Sequence, residues 1–148
     1  MNRNYYPGVK HMLVAASIIV LAGCATISRF DQYAYAQSTS LKVDALNVMN
    51  LASQQYDTHV SDITTVNTAM DKMVAYERNR PKNELSEKMW VMLRDTNQNL
   101  YGGFIRRWKN EGTLSPVFIK ESQILIGQAF DQVSQLESGK IKTQQATN

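Results

Sequence analysis

The chain is poor in residues that cross-link a fold or interrupt a helix. Its 148 residues include one cysteine, three prolines, seven glycines and two histidines. A single cysteine excludes both a disulfide within the chain and a cysteine-based zinc site. Between Gly23 and Gly102 there is no glycine, and Pro81 is the only proline. Because no segment alternates long enough to require a strand, the sequence predicts an all-α protein.

The residues before the cysteine have the layout of an export signal. Residues 1–11 contain Arg3 and Lys10 and no acidic residue, and residues 12–21 form an apolar run. Ten residues of helix span about 15 Å, which is half of the roughly 30 Å hydrocarbon core of a bilayer. The run is therefore too short for a stable transmembrane helix and suits the core of a cleaved signal peptide.

The apolar run ends in Leu21-Ala22-Gly23-Cys24, which resembles the lipobox of bacterial lipoproteins. The resemblance implies cleavage before Cys24, attachment of a diacylglycerol and a further acyl chain to Cys24, and a location on the periplasmic side of the cell envelope. Ala25 stands where aspartate favours inner-membrane retention in enterobacterial lipoproteins, so the resemblance favours the outer membrane. We predict a signal peptide at residues 1–23 and a lipidated tether at residues 24–40.

The charge of the chain gives no reason to expect a nucleic-acid partner. Of its 16 basic residues, Arg3 and Lys10 leave with the predicted signal peptide, so 14 basic residues face 13 acidic residues. A formal charge of about +1 is too small to provide the electrostatic footprint of a nucleic-acid-binding surface. With Cys24 acylated no thiol remains, and the stability of the mature chain has to come from packing.

The first half of the mature chain predicts one long helix or two abutting helices over residues 30–80. Apolar residues recur at steps of three and four from Leu46 to Val74, which is the near-heptad spacing of a packed helix. The polar residues 37–40 indicate the end of the tether, so we expect the helix to start around Leu41. If it is continuous to Asn79 it is around 60 Å long, and it either projects past its partners or breaks back as a fourth helix.

Two further helices follow the turn predicted at residues 79–83, where Pro81 disfavours helix at the preceding residue. The second has helical spacing from Leu85 to Trp108, and Gly102-Gly103 marks a kink, a close backbone approach or a boundary between two helices.

The third predicted helix begins at Ser115-Pro116 and ends at Ser138-Gly139. The predicted fold is an all-α, up-down-up bundle of three or four helices at residues 41–138, with a long first helix and a disordered tail at residues 139–148.

The residue types of catalytic and metal sites are present only in ordinary helical settings. His59 is the only histidine after residue 23, and Asp62, three residues on, is placed to hold its ring. Glu84 and Glu87 fall in a first helical turn, where acids favour the helix dipole. We therefore predict no enzymatic activity, no metal and no cofactor.

Two basic segments are candidate contacts for a partner or an anionic surface, although helix-end complementation and a solvated helix face are the favoured explanations of them. The candidate residues are Tyr76, Arg78, Arg80, Lys82, Arg106 and Arg107.

The predicted function is that of a lipid-anchored helical module that binds or scaffolds a protein partner or the cell wall. The membrane is a partner through lipidated Cys24, and self-association through the helices and contact with peptidoglycan remain open. An accessory or regulatory subunit of an envelope enzyme or transporter is the alternative. A small hydrolase that uses carboxylates or His59 is the weakest of the three hypotheses.

Overall fold

A computed structural model describes residues 30–139. The predicted signal peptide, Cys24 and the tail from residue 140 onward lie outside the described residues. Within the described part, 81% of the residues are helical and no strand occurs. The prediction of an all-α helical bundle is therefore confirmed at this level.

The described part contains five α-helices rather than the predicted three or four. The helices are α1 (Gln32–Asn50), α2 (Val60–Arg78), α3 (Glu84–Arg94), α4 (Tyr101–Glu111) and α5 (Pro116–Glu137). Helices α1 and α2 run in opposite directions, α3 and α4 together return along the bundle, and α5 runs antiparallel to α1. The strongest packing is between α1 and α5 and between α2 and α3.

The two ends of this bundle are chemically distinct. The start of α1, the α2–α3 turn and the end of α5 meet at one end, which we name the Asp31 end. The α1–α2 and α4–α5 connections meet at the other end, where the backbone N–H of Tyr56 donates to the carbonyl of Gly112 at 2.9 Å. We name this the Gly112 end.

Helix α1 begins at Gln32, nine residues before the predicted start at Leu41. Asp31 caps it by accepting a 2.8 Å hydrogen bond from the backbone N–H of Ala34. Ser38 is fully buried, and its hydroxyl lies 2.8 Å from that of Ser134 on α5. Residues 32–40 therefore belong to the bundle and not to a tether, because Ser38 is buried and has its polar partner on another helix.

The long, continuous first helix does not form. The chain follows the other alternative that the sequence left open and turns back at residues 51–59. Two short 3₁₀ turns, Leu51–Ser53 and Tyr56–His59, flank the extended residue Gln54. The indole N–H of Trp108 donates to the carbonyl of Gln54 at 3.0 Å. The backbone groups freed by the break are thus bonded by α4 and the residues after it, so no glycine or proline is needed here.

The predicted second helix is also divided, with α3 ending at Arg94 and α4 beginning at Tyr101. A Cβ atom on Gly102 would lie 2.2 Å from the carbonyl oxygen of Arg94, and one on Gly103 would lie 1.8 Å from that of Gln98. The glycine pair therefore marks both a new helix and a close backbone approach.

The remaining boundaries agree with the sequence. The chain turns at residues 79–83, Ser115 caps α5 by accepting from the backbone N–H of Phe118, and Gly139 adopts a φ of +70° after the last turn. The core between the helices is built from large side chains with no more than 1% exposure, among them Trp90, Trp108, Tyr101, Phe130, Met49, Met70, Leu93 and Ile126. Full burial of each apolar side chain of this size contributes about 1.5–3 kcal/mol.

Candidate functional site

A cluster of charged side chains is buried at the Asp31 end, with Arg80 at its centre. The Nη1 atom of Arg80 donates to Oε2 of Glu77 at 2.8 Å and to Oε2 of Glu137 at 3.0 Å. Its Nη2 atom lies 3.4 Å from the Asp31 carboxylate. Glu77 and Glu137 are only 1% and 2% exposed. One guanidinium thus joins acids from α2, α5 and the cap of α1.

Two polar residues at the start of α3 complete the cluster. The Asn83 amide donates to Oε2 of Glu77, and the Ser86 hydroxyl donates to Oε1 of Glu137. Oε1 of Glu77 is buried and has no hydrogen-bond partner. Burial, followed by the neighbouring Glu137 carboxylate, raises the pKa of Glu77, and the bonds from Asn83 and Arg80 offset only part of this increase.

The pKa of Asp31, at the edge of the same cluster, is shifted in the opposite direction from that of Glu77. Burial by itself would raise the pKa of its carboxyl. The backbone N–H of Ala34, the hydroxyl of Tyr76 at 2.8 Å and the charge of Arg80 outweigh burial and lower this pKa below its ordinary value. Asp31 is therefore held as a carboxylate that both caps α1 and ties it to the end of α2.

The carboxylates of the cluster are buried and bonded to neighbouring side chains, whereas an acid–base pair has to be open to a substrate. A general acid has to come within hydrogen-bond distance of the substrate atom that it protonates. Glu77 and Glu137 are almost completely covered, and Arg80, Asn83 and Ser86 bond three of their four oxygens. In this arrangement the carboxylates hold helix ends together and present no surface to a substrate.

Sequence reasoning missed the two buried glutamates, although their positions carry a signal. Glu77 follows Met73 by four residues and Val74 by three, so it continues the apolar stripe of α2. Glu137 follows Val133 by four residues on α5. A carboxylate that continues an apolar stripe enters the core, and it then needs a cationic or hydrogen-bonding partner.

The residues predicted as partner contacts at the α2–α3 turn separate into two groups. Arg80 points inward with its side chain 18% exposed, and the Tyr76 hydroxyl is bonded to Asp31. The Arg78 side chain is 64% exposed and donates to Glu87 at 2.7 Å. Lys82 lies on the surface with a φ of +65°. Arg78 and Lys82 are therefore the exposed members of this set, whereas Tyr76 and Arg80 are half-buried.

The other predicted pair, Arg106 and Arg107, borders a groove of about 470 Å³ between α4 and α5. The Arg107 guanidinium lies 4.0 Å from the centre of the Phe118 ring and donates to Glu111 at 2.7 Å. Arg106 donates to the side-chain carbonyl of Asn97 at 3.3 Å. We call this feature the α4–α5 groove.

The floor of the α4–α5 groove is apolar. Phe104 and Phe118 lie parallel there with ring centres 5.9 Å apart, and Ile126 is also buried in it. Leu125 lines the groove while remaining 51% exposed, whereas its neighbour Ile124 is 58% exposed and does not line it. The groove combines apolar contact area with two cationic side chains at its border.

His59 lies at the Gly112 end with both ring nitrogens in contact with side-chain oxygens. Nδ1 is 3.2 Å from the Asp62 carboxylate, as the spacing predicted, and Nε2 is 3.0 Å from the Gln54 side-chain oxygen. No group of three or more histidine, cysteine, aspartate or glutamate side chains that could hold a metal ion occurs among residues 30–139.

The chain matches no protein-family model, and no curated protein or solved structure is significantly similar to it. Among the helices of residues 30–139, none combines the length and hydrophobicity that a membrane-spanning helix requires. The features of this chain that point to a function are therefore the lipobox at residues 21–24 and the surfaces described above.

Proposed function

We propose that this protein is a lipid-anchored, non-enzymatic binding module of the bacterial envelope that faces the periplasm. The lipobox at residues 21–24 supports the anchor. The covered state of the Arg80 cluster favours binding over acid–base catalysis. The outer membrane is the proposed location because Ala25, and not aspartate, follows Cys24.

The observation that carries the proposal is the separation of the α4–α5 groove from the end of the bundle nearest the anchor. Asp31 follows Cys24 by only seven residues, whereas Phe118 in the groove lies near the start of α5. Phe118 and Glu137 are 19 residues apart on α5, which corresponds to about 28 Å along its axis. An anchor at the Asp31 end would hold the groove away from the bilayer and toward the periplasm.

The groove fits a protein segment that carries apolar and acidic side chains. Phe104, Phe118 and Leu125 supply apolar area. Arg106 bonds the neutral side chain of Asn97 and supplies a cation for a partner's carboxylate, whereas Arg107 is already paired with Glu111. A segment that presents apolar side chains on one face commonly binds in a hydrophobic groove of this kind. If the partner that binds in the groove is an envelope enzyme or transporter, the protein acts as its accessory subunit. This role is therefore one case of the proposed binding function.

A photocrosslinker placed in the groove tests the proposal. The full chain is produced in an envelope-bearing bacterium with p-benzoylphenylalanine at Leu125, and a second strain carries it at the adjacent, equally exposed Ile124. We expect a discrete protein adduct from position 125 that is reduced by Arg106→Glu and Arg107→Glu and is absent from position 124. Equal adducts from both positions, or none from either, would contradict the assignment of the groove.

The same strains test the other partners that the sequence leaves open. Adducts containing only copies of this chain identify self-association, and adducts released only by muramidase digestion identify peptidoglycan. Either result would overturn the choice of a protein segment. Replacement Cys24→Ala should release the protein from the membrane fraction, and retention of that variant would contradict the anchor.

A further inference from the structure

The strongly exposed aromatic side chains of the described part lie together at the Asp31 end. Phe30 is 60% exposed, Tyr33 is 52% exposed and Tyr35 is 40% exposed. The other large apolar side chains with comparable exposure are aliphatic and lie elsewhere along the chain. The two tryptophans, in contrast, are completely buried. An exposed aromatic cluster of this kind needs an explanation other than packing of the core.

The three rings surround the beginning of α1 at one level. Tyr33 and Tyr35 point to different sides of the helix because they are two residues apart, yet they differ in height by only about 3 Å. The Phe30 ring lies 6.3 Å from that of Tyr35, and the Tyr33 ring lies 4.9 Å from that of Tyr76 on α2. We name Phe30, Tyr33 and Tyr35 the aromatic collar.

The chain brings the collar close to the proposed lipid anchor. Phe30 follows Cys24 by six residues, so their Cα atoms are at most about 20 Å apart even if the chain is fully extended. A lipid-modified Cys24 would lie at the bilayer surface, and the collar would then be confined to the same surface. Aromatic side chains with one polar edge favour the headgroup region of a bilayer.

We propose that the aromatic collar contacts the headgroup region of the bilayer that holds the Cys24 anchor, and so docks the Asp31 end of the bundle against the membrane. This inference rests on the proposed function, because it requires the anchor. It adds a second membrane contact and a defined orientation, with the α4–α5 groove pointing away from the bilayer.

The charges near the collar favour a contact that does not depend on anionic lipid. The Asp31 carboxylate is bonded by Tyr76 and lies within 3.4 Å of Arg80, and Arg78 is paired with Glu87. Since these opposite charges are already paired, aromatic contact rather than electrostatic attraction drives the docking. We therefore expect it on a zwitterionic phosphatidylethanolamine bilayer, with little dependence on ionic strength.

The size of the collar also favours a bilayer over a second copy of the chain. Three aromatic side chains offer roughly 150–250 Å² each when completely buried, and these rings are already partly covered. Their remaining area is well below the roughly 800 Å² that each partner contributes to a standard protein interface. A lipid surface requires no such minimum, because the anchor supplies most of the binding free energy.

Depth-dependent fluorescence quenching tests the docking. Full-length, acylated Phe30→Trp protein is reconstituted into phosphatidylethanolamine vesicles that contain a phosphatidylcholine brominated near the top of its acyl chain. The matched control is Val117→Trp, at a position 67% exposed near the Gly112 end. The buried native Trp90 and Trp108 contribute equally to both variants. We expect the tryptophan at position 30 to lose most of its emission, and that at position 117 to keep it.

Each result supports or overturns the inference. Strong quenching at position 30 alone, unchanged by added salt, supports the collar. Equal quenching of the two variants, with acylation of Cys24 confirmed by mass spectrometry, overturns the collar and leaves the anchor standing. A blue-shifted but unquenched tryptophan at position 30 indicates cover by a second copy and also overturns it. Absence of acylation would remove the proposed anchor, and the collar with it.

Discussion

Glu77 and Glu137 share Arg80 but use their oxygens differently. Both oxygens of Glu137 accept hydrogen bonds, one from Ser86 and one from Arg80. Glu77 accepts both of its bonds on Oε2 and leaves Oε1 buried without a partner. An amide at position 77 can turn its oxygen toward the two donors, but its N–H groups then lie buried where Oε1 has no partner. At Glu137 an amide nitrogen would face Arg80 or displace the bond from Ser86.

The raised pKa of Glu77 predicts how Glu77→Gln changes stability with pH. Because the pKa is raised in the folded protein, the stabilisation from this group is complete below its ordinary value of 4.5 and is lost as pH rises through the folded pKa. The neutral glutamine does not undergo this loss. We expect the free energy of unfolding of Glu77→Gln, relative to that of wild type, to increase from pH 4 to pH 8. Urea denaturation of both proteins measures this difference.

Two controls isolate this effect. The pKa of Asp31 is lowered, so its stabilisation is present above its ordinary value of 3.8 and is lost as pH falls through the folded pKa. Asp31 is present in both proteins, and its contribution cancels in their difference. Glu137→Gln should lower the free energy of unfolding by about 1–3 kcal/mol because it leaves a buried donor unpaired, and Glu77→Gln carries a similar cost, independent of pH, from its buried N–H groups. A Glu77→Gln difference that does not vary with pH would contradict the burial argument.

At the scale of the helices, those of residues 30–139 contain two kinds of glycine. A Cβ atom on Gly103 would overlap the backbone of Gln98, which is part of the α3–α4 connection. A Cβ atom on Gly127, within α5, would meet only the side chains of Lys42 and Leu46 at ordinary contact distances of 3.6 Å and 3.9 Å. The first glycine allows two helices to meet, and the second is a replaceable position.

The same substitution should therefore have opposite effects at the two glycines. Gly103→Ala is expected to lower the free energy of unfolding by about 1–3 kcal/mol, because the connection has to move. Gly127→Ala is expected to raise it by about 0.5–1 kcal/mol, because alanine favours the helix. Urea denaturation of both variants measures the difference. Destabilisation by both would show that the surroundings of Gly127 do not accommodate a methyl group.

Helix boundaries were predictable where the determining residues are neighbours in the sequence. Ser115 and Pro116 mark the start of α5, Gly139 follows its end, and Pro81 lies in the α2–α3 turn. The break at residues 51–59 was not predictable in this way. Its free backbone groups are bonded by Trp108 and Gly112, more than 50 residues away, and no local breaker marks it.

The candidate contact residues show the same difference between what neighbouring residues determine and what the packing of distant helices determines. Arg106 and Arg107 were identified from the sequence and lie beside the α4–α5 groove, but the groove exists only because Phe104 and Phe118 from different helices pack together. Arg80 was named as a candidate partner contact, yet its guanidinium points inward and bonds the buried carboxylate of Glu137, which is 57 residues away in the chain. Residue type predicts charge, whereas the packing of distant helices decides which charges reach the surface.

The arrangement of the whole molecule depends on where the tether stops and the folded bundle starts. The sequence predicted a tether through residue 40, but α1 begins at Gln32 and Ser38 bonds to Ser134. Because α1 is capped by Asp31, a tether of seven residues from Cys24 to this cap spans at most about 25 Å, and a tether to Leu41 would span more than twice as far. The shorter tether confines the bundle to the membrane surface.

Replacement of two segments by Gly-Ser sequence of equal length distinguishes these tethers. Replacement of residues 32–40 removes the buried Ala34 and Ser38 and places glycines in α1, so we expect the free energy of unfolding to fall by about 5 kcal/mol. Replacement of residues 25–29 should leave it unchanged, since the cap at Asp31 and the helix remain. Equal stability of the two variants in urea would instead return residues 32–40 to the tether and free the α4–α5 groove from any fixed height above the bilayer.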